Sequence, residues 1–231
     1  MSIYIVGDLH LSNGENIEKP MSVFGQNWDR HDEKIKKYWM ENVNPSDVVI
    51  LAGDTSWAMK LEEAKADFDW INSLPGMKVL IKGNHDFWWQ SINKLKTAFP
   101  ENFFIQNNCF VTHGVAVCGT RGWICPGTDG FAASDEKIFK REVLRMEFSL
   151  KEARKADAGE IIAVMHYPPT NEKKQPSEFT KLFEEYGVKD VYYGHLHGKE
   201  NFYRGPSGNI GGVNYKLISI DSLDFTLWKV R

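Results

Sequence analysis

Residues Val79–Trp89 read VLIKGNHDFWW. An apolar run gives way to Gly83, and an amide, an imidazole and a carboxylate follow at once in Asn84, His85 and Asp86. A short β-branched run that stops at a glycine reads as a buried strand with a tight turn at its end. Three side chains able to bind a cation or move a proton make a site there only if other strand ends repeat the pattern.

Four further stretches do repeat it. They are IYIVGDLH with Asp8 and His10, VVILAGD with Asp54, IIAVMH with His166, and VYYGHLH with His195 and His197. Five of the seven histidines fall at or just after such a run, so the clustering is a property of the chain and not of one segment. Gly7, Gly53, Gly83 and Gly194 introduce four of the clusters, where a missing Cβ eases a turn off a strand. Asp8/His10 and His195/His197 are i, i+2 pairs, which point the same way in an extended chain.

The runs are continuously apolar, as expected of strands buried on both faces of a mostly parallel sheet. Helical spacing lies between them. Leu61, Ala64, Phe68 and Ile71 predict one helix, closed by Pro75-Gly76, and Phe139, Val143, Met146, Leu150 and Ala153 predict a longer one. A third is capped by Ser177, carries Phe179, Leu182, Phe183 and Tyr186, and stops at Gly187. Residues 103–120 and 201–230 are strand-rich and turn-punctuated, which predicts hairpins or antiparallel edge strands, with Gly205–Gly212 as a hairpin turn. Alternating strands and helices with a second β-rich portion give an α/β layered sandwich, expected as a single domain over residues 1–231.

Composition bounds the function. A net charge of −3 gives no electrostatic reason for a polyanionic partner such as DNA or RNA. Cys109, Cys118 and Cys125 form no CxxC pair and read as free thiols in a reducing compartment. No apolar stretch approaches the roughly 20 residues that span a bilayer. A cytoplasmic protein without membrane contact is expected.

If open α/β sheets place their sites beyond the carboxyl ends of the strands, the clusters converge. Imidazole, carboxylate and amide oxygen without thiolate suit manganese, iron or zinc, and seven donors exceed what one tetrahedral ion takes. Two ions sharing a carboxylate fit better, a standard device of phosphoryl hydrolysis. Taken singly, a Gly-Asp is a turn and a histidine beside an apolar run is a satisfied core or surface residue. His31 and His113 keep that plain reading.

In order, D-x-H, G-D, G-N-H-D, H and G-H-x-H resemble the five-part signature of the calcineurin-like metallophosphoesterases, spanning Asp8 to His197. The resemblance implies two packed mixed β-sheets flanked by helices, a four-layer α/β/β/α sandwich. It implies a dinuclear centre of two divalent ions, with Asp8, His10, Asp54 and His197 on one metal. Asp54, Asn84, His166 and His195 take the other, so Asp54 bridges. A hydroxide shared by the metals attacks a phosphomonoester or phosphodiester, His85 serves the leaving group, and Asp86 orients His85. The chain departs from the family at Trp57, where many members carry Asp or Arg after G-D-x-x.

Substrate contacts are open from sequence. Trp57 and Trp88 read either as an aromatic wall or as core packing, and Arg121 either as a phosphate clamp or as a salt bridge. Lys173 and Lys174 sit in a loop that either leans over the site or is simply solvated. The substrate expected is a small phosphorylated molecule or nucleotide. A nuclease is the alternative enzyme, and a non-catalytic scaffold the alternative outside enzymes, though such relatives lose ligands that are all present here.

Overall fold

A computed structural model describes residues 1–231 except Glu15, Asn16, Glu18 and Pro20. Its residues fall into two compact units: residues 1–104 with 218–231, and residues 105–217.

The first unit is built on β1 (Ile3–Val6), β2 (Val48–Leu51), β3 (Met77–Leu80) and β4 (Asn102–Phe104), all parallel. Every residue of β1 and β2 is buried, which is what continuous apolar strands require. The register pairs Val6 with Leu51 and Leu51 with Leu80. Three chains therefore leave the sheet at one level, and they carry Asp8, Asp54 and Asn84. The helices α1 (His31–Asn42), α2 (Lys65–Asn72) and α3 (Ile92–Ala98) connect successive strands. Trp39, Phe68, Trp88, Phe99 and Phe104 fill the core, with Phe68 and Phe99 stacked at 3.7 Å.

In the second unit β5 (Cys109–Thr112) pairs antiparallel with β6 (Val115–Thr120), which continues parallel to β7 (Glu160–Met165) and β8 (Asp190–Tyr193). The sheet ends in β9 (Gly208–Ile210) and β10 (Val213–Leu217), the latter parallel to β8. Met165 pairs with Tyr193, so His166 and Gly194 emerge side by side. The helices α4 (Ala133–Lys155) and α5 (Glu178–Tyr186) supply Phe139, Met146, Phe179 and Phe183 to the core. A two-residue strand, β11 (Trp228–Lys229), pairs antiparallel with β1 and closes the edge of the first sheet.

Among the described residues, two mixed sheets with five α-helices are the α/β architecture the sequence predicts. The Ser177 cap accepts from the Phe179 and Thr180 N–H groups, and Gly187 sits at φ 70°. Gly211 and Gly212, at φ 61° and 82°, turn the β9–β10 hairpin.

Two expectations need correction, and two helices were not foreseen. The Leu61 helix starts only at Lys65, because the Glu63 carboxylate accepts from the Met59 and Lys60 N–H groups and holds a preceding turn. The β-rich regions are not wholly antiparallel: β4, β6 and β10 each join a parallel pair. And α1 and α3 escape the sequence reading, since α1 buries only His31, Ile35 and Trp39, and α3 only Leu95.

Candidate functional site

In the first unit the β1 and β2 loops lock together through their backbones. Asp8 N–H donates to the Gly53 carbonyl at 2.9 Å, and His10 N–H to the Asp54 carbonyl at 2.9 Å. Asp8, His10 and Asp54 all adopt left-handed backbone, with φ of 63°, 46° and 48°. Asp is among the residues that tolerate this region best, and strain of this kind gathers where a side chain must be aimed. The extended-chain argument for the i, i+2 pair is thus wrong in its geometry. Asp8 and His10 meet nonetheless, with ligand atoms within 4.8 Å of each other.

The Asp8 and Asp54 carboxylates also approach within 4.8 Å, and His10 Nε2 lies 3.9 Å from Asp54 Oδ2. Asp8 is fully buried and Asp54 is 2% exposed. Two carboxylates this close and this dry repel each other unless a cation compensates. Oxygen and imidazole donors are the set that divalent manganese, iron or zinc takes, so these residues fit a metal.

Asp86 carries the surrounding loop. Its Oδ2 accepts from Gly83 N–H at 2.7 Å and Asp54 N–H at 2.9 Å; its Oδ1 accepts from Thr55 N–H at 2.9 Å, Ser56 N–H at 3.4 Å and the Trp88 indole at 3.0 Å. The sequence reading makes Asp86 the orienter of the His85 ring. Its bonds also give it a further task, holding the Asp54 loop against the end of β3. His85 is tied to that loop by its own N–H, which donates to Asp54 Oδ1 at 2.7 Å.

Gly83 is required by contact. A Cβ there would lie 2.1 Å from the Asp54 nitrogen. Of the four glycines only Gly53, at φ 88°, is needed for backbone freedom. One turn further out, Ser56 Oγ donates to Asp67 and Asn13 N–H donates to Asp67 at 2.8 Å; burial pushes the Asp67 carboxyl above its ordinary range.

The tryptophans divide. Trp57 lies flat on the His10 ring, centroids 4.7 Å apart at 22°, and 4.6 Å from His85, while its indole donates to Met21 Sδ. It packs a candidate ligand in place. Trp88 is fully buried and spent on Asp86, so it offers no stacking face to a substrate.

In the second unit His166 is fully buried, and its Nε2 lies 3.3 Å from Nδ1 of His195. Two ring nitrogens at that distance share one proton or one cation. His166 and Tyr167 N–H both donate to the Arg121 carbonyl, and Gly194 N–H donates to the His166 carbonyl. The Tyr167 ring packs 4.0 Å from that of His195. His195 is again left-handed at φ 72°, and the His197 carbonyl accepts from the Asn201 side chain.

Arg121 makes the salt bridge that its alternative reading expects. Its guanidinium lies 3.5 Å from fully buried Glu142 and over Trp123 at 4.6 Å. Sequence reasoning missed Glu142 of α4, which also accepts from Thr120 at the end of β6 and from Arg145; a charged residue amid an apolar stripe was the available signal. Tyr167, next to His166, was missed as well. His31 and His113 keep their plain roles: His31 bonds the Leu9 carbonyl at 3.0 Å, and exposed His113 bonds Thr112.

Strand-end clusters of carboxylate and imidazole on mixed α/β sheets make a candidate metal site. The chain belongs to the calcineurin-like phosphoesterase family, whose model matches residues 1–199. Two solved structures share the fold. One is a protein of unknown function from Aquifex aeolicus, with TM-score 0.51, 17% identity, and 99% of this chain and 95% of that one covered. The other is the phosphopantetheinyl hydrolase PptH of Mycobacterium tuberculosis, with TM-score 0.55, 14% identity and the same coverage. No curated protein sequence matches.

Proposed function

We propose that this protein is a dinuclear metal-dependent phosphoesterase acting on a small phosphomonoester or phosphodiester. The observation that carries the reading is the pair of buried carboxylates, Asp8 and Asp54, held within 4.8 Å on left-handed backbone at the ends of β1 and β2. Family membership supports it, and so does the hydrolase activity named for the structurally similar PptH.

In this reading Asp8, His10, Asp54 and His197 hold one ion, and Asp54, Asn84, His166 and His195 hold the other. Two divalent ions of manganese, iron or zinc would make water nucleophilic near neutral pH and offset the charge of a phosphate. The chain's own residues do the rest. His85 gives a proton or a hydrogen bond to the departing oxygen. Its backbone bond to Asp54 fixes its distance from the ligand carboxylates. Trp57 shields His10 and His85 from water on one face, and Asp86 keeps the Asp54 loop from relaxing.

The substrate is expected to be small and phosphorylated, in a cytoplasmic protein. Among the described residues no helix is long and apolar enough to cross a membrane. The net charge of −3 disfavours the nuclease alternative, and the full ligand set disfavours a scaffold.

Hydrolysis of p-nitrophenyl phosphate and bis-p-nitrophenyl phosphate tests the proposal, using chelator-stripped protein with and without added Mn²⁺. Turnover should need the metal, fall by about 10²–10⁴ in His85→Ala and vanish in Asp54→Asn. Protein that binds no divalent ion by elemental analysis would sink it.

A further inference from the structure

A cavity of 160 Å³ opens in the second unit against the His195 ring. Ile124, Pro168 and Leu196 give it apolar walls, and Tyr167, packed on His195, joins them. Its charged lining residues are Glu172 and Arg204, which pair with each other at 3.4 Å. The walls are built in advance. Asn171 donates to the Pro126 carbonyl at 3.0 Å and to Gln175 at 2.7 Å, and accepts from the Lys173 and Gln175 N–H groups. Ser177 Oγ ties down the Pro169 carbonyl at 2.6 Å. The loop after His166 is therefore pinned where it borders the cavity, while Lys173 and Lys174 face solvent.

We propose that this cavity receives the organic part of the phosphoester, and that the part it selects is an uncharged, mainly apolar alcohol. The assignment rests on the phosphoesterase reading, since His195 is there a ligand of the ion that meets the phosphate. Whatever is esterified to that phosphate and extends past His195 enters these walls. The volume is close to the roughly 150 Å³ that admits benzene, so the part of the group held there has about six to eight non-hydrogen atoms. Glu172 and Arg204 neutralise each other and leave no net charge to welcome a second anion. A hydrocarbon or amide-bearing chain fits such a lining, and a nucleoside polyphosphate or a sugar bisphosphate does not.

The test compares three esters of closely similar leaving-group acidity: phenyl phosphate, 4-butylphenyl phosphate and 4-(2-carboxyethyl)phenyl phosphate, each also as its methyl diester. All are assayed on the Mn²⁺-loaded protein with metal content measured. Wild type should favour the butyl ester over the phenyl ester by tenfold or more in kcat/KM, chiefly through KM, and disfavour the carboxylate. Ile124→Trp and Thr128→Trp, which fill the cavity from two positions, should each erase that preference, and Ile124→Val should keep it. A wild type that hydrolyses these esters without preference, or filled variants that retain it, overturns the subsite alone. Metal-loaded wild type that hydrolyses none of them overturns the phosphoesterase reading and the subsite together.

Discussion

At Asp86 one carboxylate accepts five N–H donors, four from backbone and one from Trp88. Hydrogen bonds to a buried charged acceptor are among the strong ones, and a polar group left facing the wrong partner is costly. Asp86→Asn turns an NH₂ toward at least two of those donors. It should lower unfolding stability by about 2–4 kcal/mol in urea titrations and reduce bound metal, because the Asp54 loop loses its anchor. Trp88→Phe removes one donor only and should cost about 1 kcal/mol with metal retained. Thiols provide a second check on burial. Burial pushes Cys118 and Cys125 up to about 12, so at pH 8 only about one in 10⁴ of either is thiolate. Iodoacetamide on folded protein at pH 8 should modify partly exposed Cys109 first and reach the other two only on unfolding. Labelling of Cys118 in native protein at a rate equal to Cys109 would contradict the packing. At this scale the sequence was informative about chemistry and blind to partners. The G-N-H-D motif marks Asp86 as functional, but that its oxygens face the Asp54 loop depends on a contact 32 residues away in sequence.

The turn between a strand and its ligand is where an element becomes part of a site, and two glycines illustrate different demands. Gly83 ends the β3 segment with Asp54 so close that a methyl group would strike its nitrogen at 2.1 Å. Gly83→Ala must push the β2 and β3 ends apart, costing about 3 kcal/mol or more and most of the bound metal. Gly187 closes α5 at φ 70° with nothing within 4 Å of its missing Cβ. Gly187→Ala strains only the backbone, by about 1–2 kcal/mol, and should leave metal binding unchanged. Equilibrium unfolding with elemental analysis separates the two. The α5 boundaries were readable because Ser177, a strong apolar stripe and Gly187 agree. The helices α1 and α3 were not, since sparse apolar positions leave their helical form to packing against the sheet. The parallel pairing of β10 was equally hidden, as only the sheet decides which neighbour an edge-like strand finds.

For the molecule as a whole, the proposed ligands are divided between two units, each with its own core. Ions bound to the folded state alone stabilise it by mass action, about 2.7 kcal/mol at one hundred times Kd. For a chain of this size that corresponds to a rise in Tm of roughly 5–10 °C on adding Mn²⁺ to stripped protein. Asp8→Asn should show most of that rise gone, and an undiminished shift there would remove Asp8 from the ligand set. The α/β class and the strand ends that carry the donors were legible because parallel strands must be apolar throughout and their sites must follow them. The division into two units was not, since the chain leaves the first at residue 104 and returns only at residue 218.

That return has a consequence for how the protein is made. A ribosome that has just released Phe104 has supplied all four parallel strands of the first sheet, yet β11, which covers the outer edge of β1, is still unwritten. Translating residues 105–217 at about 5–20 residues per second takes roughly 6–20 s. Throughout that interval Ile3–Val6 presents an apolar strand with one side unpaired, the kind of edge that invites another chain to add itself. The emerging polypeptide is thus more open to mispairing along this edge during synthesis than the finished chain is afterwards.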